Sequence, residues 1–379
     1  MKILYVAADQ TLPGATGGSV HVLEVARGLA ARGHEMHVVI RRGAGQPAEE
    51  RRDDVTWHRV RWWPPQRFFR WRATAAVAAI AERVLPDVIM ERYYNFGGEG
   101  VAVATQRDIP ALLEVNSPVL DHPGSLKAAV DRALVLRPMR RYRESLCRQV
   151  AALVAPLPEI VPLWARDKTE TVTWGADVER FQPRHRRVEV RRAWGAPDDA
   201  VVVLFSGSFR PWHGVHVLEQ AARSLTHRTD LFFVLAGGGE AADGQDYRGR
   251  RLGTLPYERM PEVVASADVG VAPYDTRRLG QLRLGFYWSP LKIFEYMASG
   301  LPTVTIPRPP LTEIIRDGQE GCFFGEGDAR SLANVFTRLA DDAPLRRRLG
   351  QSARERVIAH YSWARHCEQL ERVLQRITS

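Results

Sequence analysis

Cysteine is scarce in this chain. Its three cysteines, Cys147, Cys322 and Cys367, lie far apart and in no CxxC or CxxxC spacing. That excludes a zinc site or a disulfide framework built from them and fits a reducing compartment. Long apolar runs are missing as well. The opening MKILYVAADQ holds a short apolar run stopped by Asp9, and the longest stretch of small, mostly apolar residues is Ala73–Ala81. A membrane-spanning helix needs ~20 such residues, so neither a spanning segment nor a signal peptide is expected. The expected location is the cytoplasm, at most against the inner face of a membrane. No repeat of short period and no low-complexity tract occurs. Acid is in deficit: 53 Lys+Arg against 44 Asp+Glu leave a net charge of +9. Such a balance favours phosphorylated ligands, polyanions or anionic membrane surfaces without choosing among them.

What is present is a core. Hydrophobic residues make up 45% of 379 positions, enough for two or three domains at ~150 residues each. ILYVAA reads as a strand buried on both faces. A glycine-rich turn with Gly14, Gly17 and Gly18 follows, then the amphipathic VHVLEVARGLAARG, then the strand HEMHVVI. Strand, helix, strand at this spacing is a right-handed βαβ unit. DVIME, ALLEVN, AALVAP and TVTW continue the series over residues 1–173. Residues 174–197, rich in Arg with Gly and Pro, read as a hinge. Over 198–360 a second series follows: VVVLFSG, LFFVLAGGG, RLGTL, VGVAPY, PTVTI and GCFF. The fold class is therefore α/β, two tandem Rossmann-like doubly wound domains. The last helix, within 361–379, is free to pack on either. Ligands of such sheets bind at the carboxyl ends of the strands, and two of them can face each other across a cleft.

The segment FYWSPLKIFEYMASGLPTV, residues 286–304, carries the most chemistry. Ser289 reads as an N-cap, Pro290 as the first helical residue and Gly300 as the position just past the helix end. Lys292 then falls in the first turn, where the helix dipole disfavours a cation by ~0.3–1 kcal/mol. A bound anion reverses that sign: the N–H groups of Leu291 and Lys292 and the Lys292 ammonium converge on a phosphate. Glu295, one turn on, could accept hydrogen bonds from sugar hydroxyls. The plainer reading is a solvent-facing Lys292–Glu295 pair at i,i+3, and helix physics alone leaves both open.

Several segments in order resemble the retaining glycosyltransferases of group 1, the GT4 type with the GT-B fold. They are GGSVHVLEVARGLAARGHEMHVV, TWGADVERFQP, GSFRPWHGVHVLEQAA, LAGGGE, GTLPYERMPEVVASADVGVAPY, EYMASGLPTV and the closing YSW. The resemblance covers nearly the whole chain, and the Ser-Pro-Leu-Lys sequence is similar to a subgroup of the family. It implies transfer of a sugar from a nucleotide diphosphate sugar to an acceptor hydroxyl, with retained anomeric configuration and no cofactor or essential metal. Glu295 matches the glutamate that holds the ribose. Gly17 and Gly18 match the loop that approaches donor phosphate and acceptor, and Leu255 matches a backbone contact to the base.

This chain departs from the family pattern at three places. The first of the family's two glutamates, which have seven residues between them, is replaced by Tyr287, and no carboxylate lies between Asp275 and Glu295. Ser208 and His213 stand where relatives carry an arginine and a lysine for the diphosphate. Arg210 and Lys292 are expected to take over that charge, with His213 assisting or merely capping a helix start. Asn116 stands where relatives often place a histidine after the strand ALLEV; it could hold a hydroxyl but cannot act as a base. Glu114, on the same face, and His21, in the first helical turn, could face the acceptor or the core. Asp121 and His122 follow in a loop with no assigned role.

One further stretch stands apart. Residues 57–72, WHRVRWWPPQRFFRWR, hold five arginines, four tryptophans and two phenylalanines without an acid, and residues 132–148 add six arginines. This suits peripheral membrane association or a lipid-linked acceptor, or a solvated helix whose arginines snorkel; nucleic acid is the least favoured partner. Two other functions remain. One is a catalytically degenerate nucleotide-sugar-binding or scaffold protein, given Ser208, Tyr287 and Asn116. The other is an NAD-dependent oxidoreductase, against which the first turn lacks GxGxxG and HEMHVVI lacks a terminal acid.

Overall fold

The computed structural model describes the chain except for residues 15, 62–69, 123, 184–187, 244, 245, 281, 283–285, 288 and 289. The chain divides into two compact units. The first comprises Met1–Trp174, Tyr287–Ser289 and Trp363–Ser379, the second Gly175–Phe286 and Pro290–Ser362.

In the first unit, eight strands form one sheet: β1 (Lys2–Ala7), β2 (Glu35–Arg41), β3 (Glu49–Arg52), β4 (Val55–Val60), β5 (Val88–Arg92), β6 (Ala111–Glu114), β7 (Ala152–Ala155) and β8 (Thr169–Thr171). Their order is β3-β4-β2-β1-β5-β6-β7-β8. All pairs are parallel except the edge pair β3–β4. The connecting helices are α1 (Gly17–Ala31), α2 (Arg70–Val84), α3 (Glu99–Arg107), α4 (Leu126–Ala133) and α5 (Pro138–Gln149). Ile3–Ala7 of β1 are buried without interruption, as two helix-covered faces require.

The β3–β4 hairpin was not expected. EERR is charged throughout, and its turn uses Asp53 and Asp54, both at positive φ (56° and 58°), with no glycine or asparagine to announce it. The hairpin also corrects the reading of residues 57–72. Trp57, His58, Arg59 and Val60 are buried in β4, and Arg59 pairs with Glu50 at 2.5 Å. These four residues belong to the sheet and present no surface. Residues 62–69 of the stretch lie outside the described residues.

The second unit repeats the plan with β9 (Val201–Ser206), β10 (Leu231–Ala236), β11 (Ala241–Asp243), β12 (Gly249–Gly253), β13 (Val269–Ala272), β14 (Thr303–Thr305) and β15 (Gly321–Phe323). The order is β11-β12-β10-β9-β13-β14-β15, with β11 the one antiparallel strand. Its helices are α6 (Val188–Trp194), α7 (Val215–Ser224), α8 (Met260–Ala265), α9 (Leu291–Ala298), α10 (Leu311–Ile314), α11 (Ala329–Asp341) and α12 (Ala343–His360).

The closing helix α13 (Trp363–Thr378) belongs to the first unit. Trp363, His366, Cys367, Leu370, Val373 and Leu374 form its buried stripe at helical spacing, and Glu371 accepts from His34 Nε2 at 2.9 Å beside an ion pair with Arg32. The helix approaches α1 so closely that a Cβ on Gly28 would lie 2.4 Å from Cys367 Sγ. Gly28→Ala is therefore expected to lower stability by about 1–3 kcal/mol through overpacking. In a double-mutant cycle, Cys367→Ala should recover part of that loss, with a coupling of about 0.5 kcal/mol or more. Strictly additive effects in thermal unfolding would contradict this packing.

Candidate functional site

In the second unit β9 lies between β10 and β13. Strand order reverses there, which opens a crevice at the carboxyl end of the sheet. The turn after β9, Gly207–Gly214, lines that crevice. Two glycines admit no side chain. A Cβ on Gly237, which follows β10, would sit 2.1 Å from the Gly207 carbonyl oxygen, and one on Gly214 would sit 1.6 Å from that of Pro273. The backbones of three strand ends thus close around one point.

Helix α9 supplies the charge there. It starts one residue later than the sequence suggests: Pro290 is the cap itself, its carbonyl accepting from Ile293 and Phe294 at 2.8 and 3.4 Å. The expected cap, Ser289, lies outside the described residues. Among the described residues no side chain caps this end, and the N–H groups of Leu291 and Lys292 have no acceptor within the helix. The other end closes as expected, with Gly300 at φ 71° and Leu301 N–H donating to Tyr296 O at 3.0 Å.

Lys292 Nζ is buried and has no hydrogen-bond partner among the described residues. It lies 4.3 Å from the ring centre of Phe205 and 5.4 Å from that of Tyr274, and 2.8 Å from where a Cβ on Gly207 would be. Burial pushes its amine down to about 7, against the pull of Glu295. A solvent-facing Lys292–Glu295 pair is thereby ruled out, since Glu295 is buried too. His213 is buried beside the lysine; burial and the Lys292 charge push its imidazole down to about 2, so the ring is neutral. Arg210 and Ser208 are exposed at the rim, and the Arg210 carbonyl accepts from His213 N–H at 2.8 Å. Leu255 lies in the turn after β12, half-buried. Tyr287 is buried and groups with the first unit.

The first unit gathers the other candidates. Gly17 and Gly18 are the first residues of α1, capped by Thr16, whose side chain accepts from Ser19 N–H at 3.2 Å. Gly18 faces the side chains of Gln10 and Arg92, and Arg92 pairs with Asp9 at 2.8 Å. His21 and Glu114 are brought together in the interior, Nε2 to Oε1 2.7 Å. Tyr5 donates to the second Glu114 oxygen at 2.6 Å. Burial pushes the Glu114 carboxyl up, but His21 and Tyr5 outweigh it and hold it at about 2. Trp174 packs on the His21 ring at 4.4 Å and donates to Asn116 Oδ1 at 3.0 Å, while Asn116 Nδ2 has no hydrogen-bond partner among the described residues. His366 completes a group whose possible metal-ligating atoms lie within 4.8 Å of one another. Asp121 accepts from Arg143 at 2.6 Å, and His122 is half-buried.

Sequence reasoning missed Phe205 and Tyr274, which look like ordinary core aromatics. It also missed Asp9, Arg92, Tyr5 and His366, whose pairings span tens to hundreds of residues. Only the charge of Arg92 at the end of an apolar strand offered a signal.

Two doubly wound units, with a glycine-lined crevice and a buried cation in one of them, define an α/β enzyme of the GT-B class. The family model described as glycosyl transferases group 1 matches residues 200–342, and the glycosyl transferase 4-like domain matches residues 16–168. The chain belongs to this glycosyltransferase family. It is 24% identical over 386 residues to a D-inositol 3-phosphate glycosyltransferase of Thermomonospora curvata, covering 91% of this chain and 87% of that protein. The fold is similar to sucrose-phosphate synthase from Thermosynechococcus elongatus (TM-score 0.76, 19% identity, 99% and 98% of the two chains). It is also similar to Anabaena HepE in complex with UDP-glucose (TM-score 0.72, 18% identity, 99% and 100%).

The buried amine makes stability depend on pH. Below its unfolded pKa of 10.5, the unfolded chain holds a proton that the folded chain sheds near 7. Stability therefore rises with pH between about 7 and 10.5, by on the order of a few kcal/mol. Urea midpoints should show this rise for the wild type and a flatter profile for Lys292→Met; parallel profiles would contradict the burial of the amine.

Proposed function

We propose that this glycosyltransferase moves a sugar from a nucleotide diphosphate sugar to an acceptor hydroxyl with retention of configuration. The observation that carries the reading is the Lys292 amine, buried without a hydrogen-bond acceptor among the described residues at the start of α9. A buried amine without an acceptor calls for an anion, and a diphosphate supplies two charged groups and several acceptor oxygens. Lys292 and the N–H groups of Leu291 and Lys292 hold the phosphate near the sugar. Arg210 and Ser208 reach it from the rim, and neutral His213 contributes one ring nitrogen. Glu295 accepts from the ribose hydroxyls, Leu255 meets the base through its backbone, and Gly17, Gly18 and Tyr287 complete the donor contacts. UDP is the first candidate, because the similar Anabaena protein binds UDP-glucose.

In the reaction the bond from the anomeric carbon to the diphosphate oxygen breaks and the bond to the acceptor oxygen forms on the same face. The departing phosphate oxygen takes the acceptor's proton. The protein's task is to stabilise charge growing on that oxygen, which Lys292 and the α9 N-terminus meet without a divalent cation. Asn116, through its unpartnered amide nitrogen, orients a hydroxyl; Glu114 and His21 hold the acceptor side in shape. The acceptor is lipid-linked, a polysaccharide or a small molecule, and residues 61–72 of the Arg/Trp-rich stretch bring the enzyme to the inner face of a membrane.

Lys292→Ala is expected to lower kcat by about 10²–10³ and to abolish the thermal shift produced by the preferred nucleotide diphosphate without magnesium. At ~100 times Kd that shift corresponds to about 2.7 kcal/mol. A screen of UDP, GDP, ADP, TDP and NAD names the base; a response to NAD alone, or an unaffected Lys292→Ala variant, would overturn the reading.

The anion should also restore the amine's proton. Calorimetry at pH 8 in buffers of different ionisation enthalpy should show uptake of close to one proton per site, absent in Lys292→Met. Equal heats in all buffers would count against the assignment.

A further inference from the structure

Helix α4 is built inside out. Among the eight residues of α4, the one that is buried is an acid, Asp131, and its leucine points outward: Leu126 is 80% exposed. Asp131 faces inward because it caps α5, accepting from Met139 and Arg140 N–H, each at 3.0 Å. The turn between the helices continues the pattern. Leu134, Val135 and Leu136 are 54%, 82% and 66% exposed, and every residue from Arg132 to Pro138 is exposed. Val135 stands at φ 53° and Arg137 at φ 46°, so the turn carries a β-branched residue in a conformation that L side chains avoid. Leu134, Val135 and Leu136 thus project from one turn into water, where a soluble protein rarely leaves neighbouring large apolar groups.

The charges around the tip are of one sign. Arg132 and Arg137 bracket it, and Arg140 and Arg141 follow on α5, all exposed. Arg140 is paired with Glu144 at 2.7 Å, whereas Arg132, Arg137 and Arg141 are in no ion pair among the described residues. The nearby acids are engaged: Asp131 is buried as the cap of α5, Glu144 is paired with Arg140 and Arg148, and Asp121, ahead of α4, is held by the buried Arg143. An apolar tip ringed by unpaired arginines matches a surface that is anionic at the headgroups and apolar just beneath, where leucine and valine enter the acyl boundary and the guanidinium groups meet phosphates. No helix of the described residues is long and apolar enough to cross a membrane, so such contact would be peripheral.

We propose that the α4–α5 hairpin is a membrane-docking tip, with Leu134, Val135 and Leu136 inserting into an anionic bilayer surface and Arg132, Arg137 and Arg141 binding its headgroups. The proposal does not depend on the transfer reaction, and it is separate from residues 61–72.

Flotation of the full chain with vesicles of equal parts phosphatidylglycerol and phosphatidylcholine, against vesicles of phosphatidylcholine alone, tests it. The chain should float with the anionic vesicles, more weakly with the neutral ones, and less in high salt. The triple variant L134D/V135D/L136D should lower the bound-to-free ratio by about tenfold or more, and R132S/R137S by less, both with wild-type Tm because these side chains are exposed. No flotation of the wild type would overturn the proposal. Flotation unchanged in the triple variant would assign the binding to another surface and overturn it equally. A wild-type dimer that the triple variant dissolves, with neither form floating, would give the tip to a second copy of the chain instead.

Discussion

The second unit is organised around one buried amine. Lys292 Nζ leaves water with no hydrogen-bond acceptor among the described residues; the start of α9 opposes its charge, and two aromatic faces and the pull of Glu295 offset only part of the burial. Removing a cation from water without a partner is among the costlier arrangements a protein can hold. The structure tolerates it because the amine can shed its proton near pH 7. An arginine could not do so, its pKa lying far above any working pH. Lysine at this position therefore permits an empty site that is stable and a filled site that is charged.

The first unit sets several of its buried charges against partners. Glu114 is balanced by His21 and Tyr5, and Arg92 is balanced by Asp9. These pairs stitch β1, α1, β5 and β6 together, and α13 brings His366 and Trp363 against His21 from the far end of the chain. Paired charges help to fix a shape, and the proposed chemistry gives His21 and Glu114 that supporting part beside Lys292.

Most of the fold is legible in the chain because parallel strands buried on both faces must be apolar throughout. The exceptions are physical. The strand Glu49–Arg52 pairs antiparallel at a sheet edge, where charge is tolerated, and nothing in EERR announces a strand. Lys292 could be read from sequence because a cation in the first turn of a helix is out of place. Phe205 and Tyr274 could not, because an aromatic that shields an amine looks the same as one that fills a core. His366 was invisible for another reason: its partners Thr173 and His21 adjoin it only once the last helix has packed.

The most direct test of the account is the titration of the Lys292 amine itself. The chain has four lysines, Lys2, Lys127, Lys168 and Lys292, so a sample grown with ¹³C-labelled lysine yields few ε-carbon signals, and Lys292→Arg assigns the one in question. The account predicts a midpoint near 7 in the free protein that moves well up when the preferred nucleotide diphosphate is bound. A midpoint in the ordinary lysine range, or one that the nucleotide leaves in place, would contradict it.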